Sequence, residues 1–244
     1  YDDAALARVD AAFESELGRT WKEHLGDPDE ARNAFERALE ADPDFPAALE
    51  GLAALHQEAG RLRDAATILE RLTDRLRGPE RAPVWIALGT LMAGPLDERS
   101  RARRCFQSAL EDDPFQAPAV EWSLLLATEA EDWSEVADLL ESRFYLASGA
   151  RARAAIAVEA SQIHLNHLDS SARARAWVDR ATELDLDDAA VLLAACDVER
   201  ADGDRDALLE KLDALLRVAG RHTPQAALIE TAELHADFGH REQA

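Results

Sequence analysis

The sequence predicts an all-α chain, a stack of antiparallel helix pairs forming an α-solenoid, and three observations predict it. The first is composition. Ala, Leu, Glu, Arg and Asp dominate the 244 residues, whereas Val, Ile, Thr and the aromatics are sparse. The first set contains good helix formers and the second holds the strand formers. The second observation is a period. Gly26, Gly60 and Gly94 stand 34 residues apart, Asp169 to Gly203 is 34 again, and Gly203 to Gly239 is 36. Each glycine follows an apolar-periodic segment, as a residue closing a helix does, and self-similarity at such a period marks repeated supersecondary units. The third is proline placement. All nine prolines fall between the helices so predicted or at their first turns, where a missing N–H costs little.

Taken in order, the expected helix pairs cover about 12–44, 46–80, 82–115, 117–149, 151–187 and 189–223, with a partial unit at 225–244, all in one solenoid over 1–244. Residues 1–11 extend the first helix. There Leu6, Val9, Phe13, Leu17, Trp21 and Leu25 follow steps of three or four, which predicts one long amphipathic helix capping the N-terminal end or continuing an upstream unit. Asp27-Pro28-Asp29-Glu30 then reads as an N-cap, a proline at the first helical position and a Glu three residues past the cap. The second helix of that pair carries Ala31, Phe35, Ala38 and then Pro43. The second pair keeps Leu49, Leu52, His56, Gly60, Ala65, Leu69 and Leu72. The third opens on Trp85, Leu88, Gly89 and Met92 and continues with Ala102, Phe106, Ala109 and Pro114. The fourth keeps Val120, Leu124, Trp133 and Leu140 without a turn glycine. The fifth keeps Val158, Leu165, Ala174, Val178 and Ala181, followed by Glu183-Leu184-Asp185-Leu186. The sixth keeps Leu192, Cys196, Gly203, Leu212 and Leu215, and Leu228, Ala232, His235 and Gly239 begin a further first helix. That half-unit, and a start at Tyr1 rather than Met, lead to the expectation that the chain is a piece of a longer protein.

Trp85, Leu88, Gly89 and Met92 reproduce the pattern W-x2-L-G-x2-Y with Met at the Tyr place, and the Ala-Phe-Ala-Pro spacing occurs twice. In these residues the chain resembles the tetratricopeptide repeat family, over nearly its whole length. The resemblance implies a right-handed superhelix in which small Gly and Ala let paired helices approach closely. It also implies that large residues fill the space between pairs, and that proline ends each second helix. The first helices would line a concave groove and the second helices the outside.

Charge narrows the partners. Twenty-seven Lys and Arg against 49 Asp and Glu give a net charge of −22, while 47% apolar residues exclude a disordered acidic tail. Phosphates repel a surface of this sign, so nucleic acid is not expected as a partner, nor is direct contact with a membrane. No apolar run approaches the ~20 residues that span a bilayer, and no signal peptide is evident. With two free cysteines, a cytoplasmic location is expected. Cys105 and Cys196 lie in apolar helical patterns about three units apart. Helices pack ~8–10 Å apart and a disulfide needs Cα atoms within ~7 Å, so two buried free thiols are expected rather than a bridge.

Motifs for catalysis, nucleotides or metals are missing: there is no G-x-x-x-x-G-K-[ST], G-x-G-x-x-G, H-E-x-x-H, C-x-x-C or G-x-S-x-G. No enzyme activity, cofactor or metal is therefore expected. His164 and His167 are three apart near Asp169 and would need a third ligand from elsewhere to hold a metal; they read as a solvated helix end. His56 and His235 fall at places the family fills with an aromatic, so a packing role is expected.

Carrying over the family's groove-facing places gives Glu16, Thr20 and Glu23 in the first unit, Glu50, Gln57 and Glu58 in the second and Thr90 in the third. The later units contribute Glu121 and Thr128, then Glu159 and Asn166. Relatives that clamp a C-terminal carboxylate place Lys, Asn and Arg where this chain has Glu16, Thr20 and Glu50, so such a tail would meet like charge. A basic segment is the compatible ligand. Arg99, Arg101, Arg103 and Arg104 form the exception, a basic knot at a helix start whose dipole they do not complement. They read as a solvated face paired with acids such as Asp97, Glu98 or Glu111, or as a secondary docking spot for an acidic segment. The expected function is a non-catalytic protein–protein interaction scaffold or adaptor within a larger protein or assembly. The alternatives are a self-association module that builds a homo-oligomer, and the regulatory repeats of an enzyme whose catalytic domain lies elsewhere.

Overall fold

The structure is a computed structural model that describes residues 3–184 and 188–242, with the side chains of the last helix described as far as Asp237. The Asp185-Leu186 turn lies outside the described residues, whereas Gly239, which the period makes a helix-closing glycine, lies inside the last helix, Gln225–Glu242. The described chain is α-helical: α1 (Asp3–Thr20), α2 (Pro28–Ala41), α3 (Pro46–Glu58), α4 (Leu62–Thr73), α5 (Ala82–Ala93), α6 (Arg99–Asp112), α7 (Ala117–Glu129), α8 (Trp133–Leu146), α9 (Ala150–Asn166), α10 (Ser171–Leu184), α11 (Ala189–Asp202), α12 (Arg205–Ala219) and α13 (Gln225–Glu242). A π-helical turn, Trp21–Leu25, closes α1. The chain divides into two compact units, Tyr1–Leu126 and Ala127–Ala244. No described helix is long and apolar enough to cross a membrane.

Aspartates start α2, α8, α11 and α12. The Asp27 carboxylate accepts hydrogen bonds from the backbone N–H groups of Asp29 and Glu30, both at 3.1 Å, with Pro28 at the first helical position. Asp132, Asp188 and Asp204 cap α8, α11 and α12 in the same way. Each such cap satisfies a backbone donor the helix leaves open and is worth about 1 kcal/mol.

One left-handed residue punctuates each turn between paired helices. Gly26, Gly60 and Gly203 hold φ of 67°, 72° and 75° at three of these turns. In the third pair the period points to Gly94, but Gly94 has φ −92°, and the left-handed residue is Asp97, with φ 52°. The connection there is longer, because α6 begins only at Arg99. In the fourth and fifth pairs Glu131 and Asp169 hold φ of 55° and 46° without being glycine.

Within the first unit the core is organised by two phenylalanines seated on glycines. Phe35 of α2 is 2% exposed and lies against Gly18 of α1 and Gly51 of α3. A Cβ at Gly51 would fall 2.3 Å from Phe35 Cζ, and one at Gly18 would fall 2.8 Å from Cδ1. Phe106 of α6 repeats the arrangement: a Cβ at Gly89 would fall 2.7 Å from its Cε1, and its ring stacks on Trp122 of α7 at 5.7 Å. The absent side chains are therefore what allows these helices to meet. In the second unit Ala174 and Val178 of α10 pack with Ala194, Ala195 and Val198 of α11, and Trp177 meets Phe144 edge-on at 5.4 Å.

Helix α1 reverses the face expected of it. Ala11, Ser15 and Gly18 are its buried residues, while Leu6, Val9 and Phe13 are 58%, 64% and 68% exposed. Small residues win the inner face because the Phe35 ring needs a close approach, and a row of Leu and Phe there would hold the helices apart.

Arginine ties neighbouring helices. Arg37 on α2 reaches Glu14 on α1 at 2.8 Å, and Arg81 grips Asp112 with two hydrogen bonds of 2.6 and 2.7 Å. Arg175 on α10 holds Glu199 on α11 at 2.7 and 2.6 Å and Asp202 at 2.7 Å, and Arg200 reaches Glu230 on α13. Twenty-five of the 27 basic residues are Arg, and a planar fork makes these two-pronged contacts where an ammonium does not.

Candidate interaction surface

The first helices of successive pairs lie beside one another within each unit, α1 with α3 and α9 with α11. The Lys22 Nζ after α1 reaches the Glu58 carboxylate at the end of α3 at 2.9 Å. Glu16 and Thr20 are exposed on α1, where Glu16 pairs with Arg19 at 2.5 Å and the Thr20 hydroxyl donates to the Glu16 carbonyl. Glu23 is exposed on the π turn, and Glu50 on α3 is exposed as well, though partial burial holds its carboxyl above the usual carboxylate range. Gln57 is half-buried. Thr90 on α5 spends its hydroxyl on the Ile86 carbonyl at 2.8 Å, and Glu121 is exposed on α7.

In the second unit Thr128 and Asn166 are exposed, and Glu159 on α9 reaches Arg143 of α8 at 3.3 Å. The structure thus joins Glu58 to α1 through Lys22 and turns Glu159 toward α8. Lys22 was not legible as a member of this surface. It is one of only two lysines, and its i, i+1 neighbour Glu23 obscures a partner 36 positions away.

The basic knot is largely committed to acids. Arg99 lies 3.5 Å from Asp97, and Arg101 bridges Glu98, at 2.5 Å, and Glu70 of α4. Arg103 is half-buried on α6. Arg104 lines a cleft of about 430 Å³ between α4 and α6, together with Cys105 and Trp85.

Both thiols are buried, and burial pushes Cys105 and Cys196 up to about 11, so they are protonated at neutral pH. Two histidines, His164 and His235, depart from expectation. His164 is not part of a solvated helix end: it is 4% exposed, with a pKa lowered by burial and then by Arg173. His167 is exposed and stacks on Trp133 with centroids 3.7 Å apart. His235 is exposed rather than packed, with Nε2 3.2 Å from Asp213. His56 is half-buried, 3.5 Å from Asp64. Among the described residues no group of three or more His, Cys, Asp or Glu is arranged to hold a metal ion.

The paired helices find their counterpart in known proteins. The tetratricopeptide repeat family model matches residues 24–88. The described helix pairs have the tetratricopeptide repeat fold. YrrB, described as a tetratricopeptide repeat protein with an unusual peptide-binding site, has 16% identity and a TM-score of 0.51, covering 76% of this chain and 91% of its own. PilF of Pseudomonas aeruginosa has 18% identity and a TM-score of 0.48, covering 95% and 99%. A tetratricopeptide repeat protein of Parabacteroides merdae has 17% identity and a TM-score of 0.47, covering 92% and 83%. At these identities the likeness is one of fold. No curated protein matches the sequence. In tetratricopeptide terms α1, α3, α5, α7, α9 and α11 are first helices, and Gly18, Gly51 and Gly89 are the small residues that let the bulky residue of a second helix approach.

Proposed function

We propose that this tetratricopeptide solenoid is a non-catalytic interaction scaffold that takes an extended basic segment of a partner protein along the exposed acidic side of its first helices. Glu50 carries the reading. Its carboxyl has no ion-pair partner among the described residues and sits partly out of water, which raises its pKa. A guanidinium or ammonium brought beside it would restore the charged form and gain more than the same contact in open solvent. Glu23 on the neighbouring π turn is likewise exposed and outside any ion pair among the described residues. Lys22 and Arg19 neutralise Glu58 and Glu16, so Glu23 and Glu50 are the charges available to a ligand. A peptide-binding site is described for YrrB, which shares the fold.

Titration of the chain with a fluorescent Arg-rich peptide tests this. The expected result is saturable binding that weakens steeply with salt and falls by roughly five- to tenfold in Glu23→Gln/Glu50→Gln, the sum of two partly exposed pairs. Binding of equal strength in the double variant, or binding indifferent to salt, would overturn it. A second reading, self-association, is favoured by the exposed stripe of Leu6, Val9 and Phe13. Light scattering that finds a monomer over a wide concentration range removes it.

A further inference from the structure

A polar cavity of about 300 Å³ opens in the second unit, away from the first-helix surface, between α8 and α10 with α9 as its floor. Six side chains give it its character: Asp138 and Glu141 from α8, His164 from α9, and Arg173, Trp177 and Arg180 from α10. Their charges are unequally spent. Arg180 lies over the Trp177 ring at 4.5 Å and reaches Glu141 at 3.6 Å, so this pair satisfies itself. Arg173 and Asp138 make no ion pair with any described residue. Both nevertheless act electrostatically on the same imidazole, that of His164, Arg173 lowering its pKa and Asp138 raising it. They therefore flank His164 from opposite walls, kept apart by the cavity. His164 is 4% exposed and its Nδ1 has no hydrogen-bond partner. Burial keeps the ring neutral, so it adds no charge of its own. A neutral floor, one unspent cation on one wall and one unspent anion on the other are the complement of a ligand that carries both signs a short distance apart.

We infer that this cavity is a binding site for a small zwitterion of the free amino-acid class, with its carboxylate on Arg173 and its ammonium on Asp138. A guanidinium takes a carboxylate through two parallel N–H donors, and an aspartate accepts from an ammonium. The Trp177 ring, 6% exposed, and the flanking alanines offer an apolar wall to a short side chain. Larger side chains compete with Arg180 and Glu141 for the remaining space, so glycine and L-alanine are the favoured members of the class.

Calorimetric titration of the full chain with glycine and L-alanine, and separately with acetate and with methylammonium, tests the assignment. The His164 Cε1–H resonance is followed in parallel as a marker of place. The expected result is saturable binding of the two amino acids that shifts the His164 resonance. Acetate or methylammonium alone should bind at least about tenfold more weakly, since each meets half of the site. Arg173→Gln and Asp138→Asn, both at exposed positions, should each lose about tenfold or more in amino-acid affinity. Arg217→Gln, on α12 and outside the cavity's lining, should lose none. Equal binding of acetate with no loss in Asp138→Asn would make this an anion site and overturn the zwitterion. Absence of saturation, or binding that leaves His164 and both variants unaffected, would overturn the site itself.

Discussion

Replacing Gly51 by Ala should destabilise the first unit, although an alanine in a helix interior is intrinsically favoured over glycine by about 1 kcal/mol. The new Cβ would meet three atoms of the Phe35 ring, at 2.3, 2.5 and 2.6 Å, where carbon atoms prefer about 3.5–4.0 Å. The ring has to move by more than 1 Å on the order of those contacts, and it has nowhere to go: Phe35 is 2% exposed and Gly18 closes its other side. Overpacking of this kind costs about 1–3 kcal/mol, and three simultaneous overlaps place it at the upper end. The net expectation is a loss of about 2 kcal/mol after the helical gain is subtracted. With a urea slope of about 2 kcal/mol/M, the midpoint by circular dichroism falls by about 1 M. Phe35→Leu, which removes the clashing Cζ, should relieve much of the penalty, so the double variant loses less than the two single losses added together. A Gly51→Ala chain as stable as the parent, or more stable, would show that Phe35 is not seated on Gly51 and would refute the packing argument for the first unit.

Other outcomes follow from particular residues. Glu131→Gly should stabilise the chain by about 0.5–1 kcal/mol in urea denaturation, because a left-handed φ of 55° strains any residue with a Cβ. Arg175→Ala should cost about 2 kcal/mol, since it leaves the Glu199 carboxylate, 5% exposed, without its two-pronged partner; Arg175→Ala/Glu199→Gln should recover part of that loss. Cys105 and Cys196, with thiols raised to about 11, should resist maleimide at neutral pH and react together only once urea unfolds their units. His164 gives a pH dependence of definite sign. Its folded pKa lies below that of an unfolded His, near 6.5, so the unfolded chain takes up the proton first. Its contribution is complete above that unfolded value and is lost as pH falls through and below it. The burial that causes this outweighs the opposing pull of Asp138 and is reinforced by Arg173; Glu141 and Arg180 offset each other nearby. The drop in urea midpoint from about pH 7.5 to about pH 5 should be smaller in His164→Gln than in the parent.

The helical class and the paired design could be read from composition, from the glycine period and from Ala31-Phe35-Ala38 and Ala102-Phe106-Ala109, because helix propensity and 3.6-residue spacing are local properties. Face selection on α1 could not. Leu6, Val9 and Phe13 share helical spacing with Leu17 and Trp21, and periodicity alone says that a stripe exists without saying whether a neighbour needs small residues opposite it. Phe35 supplies that need, from another helix. The turn at Asp97 was hidden by a nearby glycine that keeps the period but not the left-handed backbone, and Glu131 carries no sequence signal for its turn, whereas Asp169 stands on the period without being glycine. The candidate surface was readable only as positions. Which charges remain available depends on partners distant in sequence, such as Lys22 with Glu58 and Arg143 with Glu159. His164 was unreadable for the same reason: a histidine near a helix end looks solvated until the helices on either side of it are placed.

The proposed docking of a basic partner segment along the acidic first helices is open to direct mapping. The most direct test is an Arg-rich peptide carrying a photo-crosslinker, bound at low salt and mapped by mass spectrometry. Crosslinks concentrated on α1, its π turn and α3, around Glu23 and Glu50, and abolished by high salt, are the predicted result. Crosslinks concentrated on the second helices α4 and α6, or a pattern unchanged in Glu23→Gln/Glu50→Gln, would contradict it.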